Sequence, residues 1–422
     1  MSPSDAVGDA STAGRNAAEL IAHVDLQAAL SAIGGSTVRT PTLACEELTR
    51  IAGTQVLLKA ECLQGTGSFK LRGALSKIAA LGGDAAPGLI TASAGNHGRA
   101  VAYAARLTGV GCEVFMPRDA SVSKVAAVEG LGASVELDGA SVDEALGLAR
   151  ERALQTGAAF VHPFDDLDVI AGQATLGVEL LEDVADLARV VVPVGGGGLA
   201  SGIGIALRRA GVDVQLIGVQ ARACAPYAQA LGGAAKADGL APSAGATIAD
   251  GIAVKYPGTL TLALLGELLD EVETVSEEEI AGAMVFLAEQ AKLVAEGAGA
   301  VAVATLLGAR LPPVSGTTVA IVSGGNVDSG LLAGLLLRQE TEAGRRVRIF
   351  TLVPDRPGGL AELLDLVART RANLLSVEHQ REAVPLHVRE TGVQLTLETR
   401  GRRHTDEVLA ALADAGYEVR TA

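Results

Sequence analysis

Tryptophan is absent from this 422-residue chain, and aromatic residues make up only 2% of it. The apolar content is instead alanine, valine, leucine and glycine, which suits helices packed on a buried parallel sheet. Cysteine is scarce. Cys45, Cys62, Cys112 and Cys224 are widely spaced with no C-x-x-C pair, which excludes a zinc or disulfide framework and predicts reduced, buried thiols in a cytoplasmic protein. Positive charge is also short: Lys plus Arg total 34 against 49 Asp plus Glu, a net −15. That balance argues against nucleic acid or an anionic membrane surface as partner. No apolar run reaches membrane-spanning length. Residues 1–18 read as a loose tail, and their start has no apolar stretch behind a basic flank, so it is not a secretory signal.

Hydrophobic residues are 49% of the chain, enough for two or three globular domains with a large core. Residues 20–33 read as one amphipathic helix. From residue 56 onward, short apolar strands alternate with helical stretches: strands near 56–59, 88–91, 112–116, 134–137, 190–194, 215–219 and 319–322. Such alternation predicts an α/β protein with parallel-rich sheets covered on both faces, and ligands beyond the carboxyl ends of the strands. A charged stretch at 338–346 reads as a linker. After it the pattern changes to strand, helix, two strands, helix and strand, a separate βαββαβ unit at 347–422.

Four stretches carry chemistry. In Thr66-Gly67-Ser68-Phe69-Lys70-Leu71-Arg72-Gly73-Ala74 a lysine opens a helix between a glycine turn and apolar neighbours. Phe69 and Leu71 keep water away, and a lysine in a partly dry site becomes a nucleophile. Taken alone, a lysine at a helix start is an ordinary surface residue. Ser93-Ala94-Gly95-Asn96-His97-Gly98 follows a strand and opens a helix. Its unpaired N–H groups favour an anion such as a carboxylate, although a plain turn capped by Ser93 fits equally well. Gly195-Gly196-Gly197-Gly198-Leu199 follows an apolar strand, and four glycines let backbone amides wrap a phosphate. A dinucleotide would require an acid at the end of the next strand, where Gln220 stands; a smaller cofactor with one phosphate fits better. Ser323-Gly324-Gly325-Asn326 ends another strand and offers a hydroxyl to a ring nitrogen. Glu296, ahead of a helix, reads as a partner for the helix dipole.

Together these stretches, with Arg39-Thr40-Pro41, Phe164-Asp165-Asp166, Ile170-Ala171-Gly172-Gln173 and Ala249-Asp250-Gly251, resemble the two-lobed fold-type II pyridoxal-phosphate enzymes, most closely the threonine dehydratases. The likeness covers the catalytic region, 19–337, with a smaller lobe at about 60–160. It implies pyridoxal 5'-phosphate as cofactor, with Lys70 holding it covalently and later removing the Cα proton. It further implies that Phe69 flanks the ring, Asn96 bonds the ring hydroxyl, Gly195, Gly196, Gly197, Gly198 and Leu199 hold the phosphate, and Ser323 faces the pyridine nitrogen. Ser93, Asn96 and His97 would bind the substrate carboxylate. The implied reaction is deamination of L-threonine to 2-oxobutanoate, and of L-serine to pyruvate. A neutral hydroxyl at the ring nitrogen favours elimination over transamination.

The competing readings are a serine-preferring dehydratase, a serine racemase, and a non-catalytic amino-acid sensor. Racemases of this fold carry a serine where Ala94 stands and acidic metal ligands after the strand that ends at Gln220, so no metal site is expected. The C-terminal unit resembles the ACT regulatory domains through 354–360 and 372–374. That likeness implies a small amino-acid effector near Asp355, Gly358 and Asn373, and a homodimer or homotetramer.

Overall fold

A computed structural model describes residues 16–232, 247–380 and 389–421. The chain divides between Val327 and Asp328 into two compact units.

The first unit contains two sheets, one nested within the other along the chain. After β1 (Thr42–Ala44) and β2 (Val56–Lys59), the chain builds β3 (Leu89–Ala92), β4 (Cys112–Met116), β5 (Ser134–Leu137) and β6 (Ala159–Phe160), then returns with β7 (Leu187–Pro193), β8 (Gln215–Ala221), β9 (Glu271–Val275) and β10 (Thr317–Ile321). The inner set forms the smaller lobe, a parallel sheet in the order β5-β4-β3-β6. The outer set forms the larger sheet, β1-β2-β10-β7-β8-β9, parallel except at β1. The apolar runs behave as a two-faced parallel sheet requires: Val190, Val191, Val192, Val319 and Ile321 are fully buried. No described helix is long and apolar enough to cross a membrane.

The second unit is antiparallel. β11 (Arg346–Pro354), β12 (Asn373–Gln380), β13 (Glu390–Glu398) and β14 (Arg420–Thr421) lie in the order β12-β13-β11-β14. Helices Gly359–Arg369 and Arg402–Asp414 supply the connections, giving the expected βαββαβ order. Their apolar faces and the sheet share a core with Ile349, Leu363, Leu395, Val408 and Leu412.

Two local expectations are corrected. The single helix at 20–33 is two, Ala17–His23 and Leu26–Ile33, because Val24 is extended and the Asp25 carboxylate caps the second by accepting from Ala28 N at 2.9 Å. The linker at 338–346 begins inside a helix, Ser329–Glu342, which belongs to the second unit. None of that helix's residues is buried, so the charged composition that suggests a linker is the solvated surface of a helix. The tail (residues 1–18) falls outside the described residues up to residue 15.

Candidate active site

Lys70 is the first residue of the helix Lys70–Leu81, which starts without a side-chain cap. Its ammonium donates to the Pro163 carbonyl at 2.7 Å and lies 5.2 Å from the centroid of the Phe69 ring. Burial pushes the lysine down to about 8, against the pull of the Glu296 carboxylate. A neutral amine is therefore accessible near physiological pH, as a nucleophile requires.

The carboxyl ends of three other strands converge on the same cleft. After β3, the turn bearing Ser93 leads into the helix Asn96–Thr108, where Ser93 Oγ accepts from Gly95 N at 3.1 Å. The Asn96 amide is held at both ends: Nδ2 donates to Glu296 Oε1 at 2.6 Å and Oδ1 accepts from Asn326 Nδ2 at 2.7 Å. Asn326 also accepts from Arg99 at 2.7 Å. The His97 side chain turns inward instead. Burial pushes it down to about 3, so the ring is neutral and its Nε2 donates to Val161 O at 3.1 Å. His97 thus offers the cleft its backbone N–H, one of the first-turn donors with no partner inside the helix.

After β7, the glycines lead into the helix Gly198–Ala210. Their lack of side chains is demanded by the walls. A carbon added to Gly196 would stand 2.1 Å from the Phe164 ring, and one added to Gly195 would stand 2.9 Å from Ile252 Cα. Gly197 adopts φ +89°, a left-handed conformation that glycine takes without strain. Tyr227 braces the loop by donating from its hydroxyl to Gly196 O at 2.7 Å, and Gly258 N donates to that hydroxyl at 3.2 Å. Gln220 steadies Tyr227 in turn, accepting from the N–H groups of Tyr227 and Ala228 and donating to Val194 O. Where a dinucleotide site would place an acid, this chain places a structural brace. Leu199 is buried beneath the loop.

After β10, Ser323 is buried, its carbonyl accepting from Phe69 N at 3.1 Å while Ser68 and Gly324 form a single bridge. The segment beside Lys70 is thereby tied to the strand end that carries the candidate ring partner.

Two participants are invisible to local pattern. Glu296 reads from sequence as a dipole partner. Here it is buried against Asn96, and desolvation, then the nearby Asp250 carboxylate, raises it to about 7. His162 is held neutral by burial, and its Nδ1 accepts from Asp165 N at 2.7 Å and Phe164 N at 3.3 Å. It shapes the loop whose Pro163 carbonyl meets Lys70 and whose Phe164 walls the glycines. Glu296 acts across two hundred positions, whereas His162 acts within its own loop, where no motif marks it.

This donor set fits a phosphate-bearing aldehyde cofactor. An amine lowered to about 8 meets the loop whose Phe164 walls a helix-start glycine run that has no room for a Cβ, and the hydroxyls of Ser68 and Ser201 are buried without a partner. In the second unit, Asn373 Nδ2 donates to Glu398 Oε2 at 2.9 Å, and Asp355 and Gly358 lie in the turn between β11 and its helix.

The family described as "Pyridoxal-phosphate dependent enzyme" matches residues 34–324. An L-threonine ammonia-lyase of Thermotoga maritima is 44% identical over 405 residues, spanning 95% of this chain and 99% of that protein. That stretch is longer than the first unit, so the likeness extends into the second. Among solved structures, a threonine deaminase of T.th. is 40% identical with a TM-score of 0.65, covering 72% of this chain and 97% of that one. A maize serine racemase is 31% identical with a TM-score of 0.68, covering 75% and 97%.

Proposed function

We propose that this chain, which belongs to the pyridoxal-phosphate dependent enzyme family, deaminates L-threonine to 2-oxobutanoate and ammonia, and L-serine to pyruvate. The observation that carries this reading is Lys70: an amine held near 8 by burial, set between Phe69 and the carbonyl of Pro163, whose neighbour Phe164 walls the glycine loop. The similarity to threonine ammonia-lyases across both units supports the choice of substrate.

When bound, the cofactor supplies an electron sink for the substrate's Cα. Residues 195–199 would hold its phosphate through backbone N–H groups, and Ser323 would meet its ring with a neutral hydroxyl. Lys70 would hold the cofactor, and its Nζ would take the substrate's Cα proton. The first-turn N–H groups of Asn96 and His97, with Ser93, bind and orient the substrate carboxylate at a helix N-terminus. Glu296, raised to about 7 by burial, titrates around neutral pH while accepting from the Asn96 amide. Water is lost from Cβ and regained when the released product hydrolyses, so the net change is loss of ammonia.

The second reading, a serine racemase, is favoured by the maize neighbour. It requires an acid/base on the opposite face of the substrate, where Ala94 stands. We read residues 347–422 as an ACT-like regulatory unit that binds a small amino acid around Asp355, Gly358 and Asn373. We further place the protein in the cytoplasm, where its four free cysteines stay reduced, as a homodimer or homotetramer.

The deciding experiment measures 2-oxobutanoate formed from L-threonine by the purified protein with pyridoxal phosphate. Turnover that disappears in Lys70→Ala supports the reading. Turnover that survives in that variant refutes the role of Lys70, and conversion of L-serine to D-serine without 2-oxobutanoate would favour the racemase.

A further inference from the structure

Beneath Lys70 lies a group of charges that the proposed chemistry does not use. Arg72 follows Lys70 by two positions, roughly 200° around the helix, so it faces the protein body while Lys70 faces the cleft. Its guanidinium is wholly buried. One edge donates to Glu61, from Nε at 2.9 Å and from Nη2 at 2.8 Å; the other donates to Glu179 at 2.7 and 3.1 Å. Burial would weaken its charge, but the two carboxylates hold it above the ordinary value.

Each carboxylate is itself tied down. Thr40 Oγ1 donates to Glu61 at 2.6 Å. Lys59, also wholly buried, lies 2.8 Å from Glu179 and 3.0 Å from Asp183, and donates to the Thr40 carbonyl at 2.8 Å. Three distant parts of the chain meet here: the 39–41 segment, the end of β2, and the helix Leu167–Asp183. The last approaches closely because Gly172 packs on Gly73, where an added carbon would stand 2.6 Å from Gly73 Cα. Gly172, Thr175 and Glu179 share one face of that helix.

A buried ion cluster of this kind is a poor device for stability, since apolar residues of the same volume commonly serve as well or better. It is a good device for fixing geometry, because the two-pronged bonds of arginine set direction as well as distance. The helix it grips needs such a device. Its start has no side-chain cap, so its first turn, which carries Lys70, relies on tertiary ties: besides Arg72, these are the Phe69–Ser323, Ser68–Gly324 and Gly67–Gly325 backbone links and the buried Leu71 side chain.

We propose that Arg72, clamped between Glu61 and Glu179, is a positioning residue that holds the first turn of the Lys70 helix in register with the glycine loop, so that the amine meets the cofactor aldehyde and later the substrate proton. This rests on the reading of Lys70 as the cofactor-binding nucleophile.

The test uses the full chain and two variants. Arg72→Met/Glu61→Gln removes one charge of each sign and leaves Lys59 and Arg39 facing Glu179 and Asp183; Arg72→Lys keeps the charge but loses the fork. Melting temperature, pyridoxal phosphate affinity from the visible band of its bond to Lys70, and kcat and KM for L-threonine are measured together. The double variant is expected to melt near the wild type while cofactor affinity and kcat each fall about tenfold to a hundredfold, with KM little changed. Arg72→Lys should fold and show a smaller loss of the same kind, which keeps the test decisive if the double variant does not fold. Wild-type affinity and kcat in either folded variant would overturn the proposal, as would losses that merely track melting temperature. If the wild type binds no cofactor, or its visible band survives Lys70→Ala, the reading of Lys70 falls and the positioning role falls with it.

Discussion

Two turns in this chain share one backbone design. Each follows a strand, passes through glycine and opens a helix whose N-cap glycine is left-handed: Gly197 at φ 89°, ψ −12° and Gly358 at φ 90°, ψ −17°. Their surroundings differ completely. Around Gly195 and Gly196 a Cβ would collide with Ile252 and Phe164, and Tyr227 pins the loop from behind. Around Gly358 a Cβ would meet nothing within 4 Å. A glycine turn at a helix start is thus only half of a phosphate cradle. The packed side chains that leave no room for a Cβ set the first turn apart from the second.

The most forceful way to break this comparison is Gly196→Ala. The added methyl has no room beside Phe164, so the loop or the ring must move. We expect overpacking of about 1–3 kcal/mol, read as roughly tenfold to a hundredfold weaker pyridoxal phosphate binding by absorbance titration. Normal affinity in that variant would show that the wall is soft and the comparison overdrawn.

Protonation sharpens the contrast next. Glu296, buried in the cleft, is raised from 4.5 to about 7. The folded state therefore binds this proton more tightly than the unfolded state, and the wild type should lose stability relative to Glu296→Gln as pH rises from 4.5 to about 7. Below and above that window the difference in melting temperature should be flat. A difference that is constant throughout the range would mean that Glu296 ionises normally.

Tyr227→Phe tests the brace alone. It removes the hydroxyl shared by Gly196 O, Gly258 N and Thr261 Oγ1. We expect a stability loss of about 1–2 kcal/mol by denaturant titration, with weaker cofactor binding. Loss of stability without any change in binding would separate the brace from the cradle.

The smallest effect belongs to Gly358→Ala. Only backbone strain opposes it, about 1 kcal/mol, and hydrogen exchange should report it locally in the helix Gly359–Arg369. Cofactor affinity and basal turnover should stay at wild-type values, whereas the response to any amino-acid effector should change. A fall in basal turnover would mean that this open turn matters to catalysis as the walled one does.

Much of the candidate site is legible in the sequence because its parts are local. A glycine run after an apolar strand and before a helix leaves outward-facing N–H groups wherever it occurs, and a lysine between Phe69 and Leu71 is shielded by its own neighbours. The βαββαβ order of the second unit is equally local, arising from a change in hydrophobic period. The misread linker marks the limit of local pattern, since the charged residues 338–342 look alike whether they cover a helix or fill a loop.

By itself, then, the sequence determined the strand–helix alternation, the two glycine turns and the candidate nucleophile, all features set by backbone chemistry within a few residues. Only the tertiary structure decided which turn is walled, that Glu296 holds Asn96 two hundred positions away, that Gln220 is a brace, and that His97 faces inward. It also decided that Arg72 is clamped between carboxylates from separate elements. Burial raises or lowers a group's pKa and obliges it to find partners, and burial is a property of the packed chain that no short stretch of sequence contains.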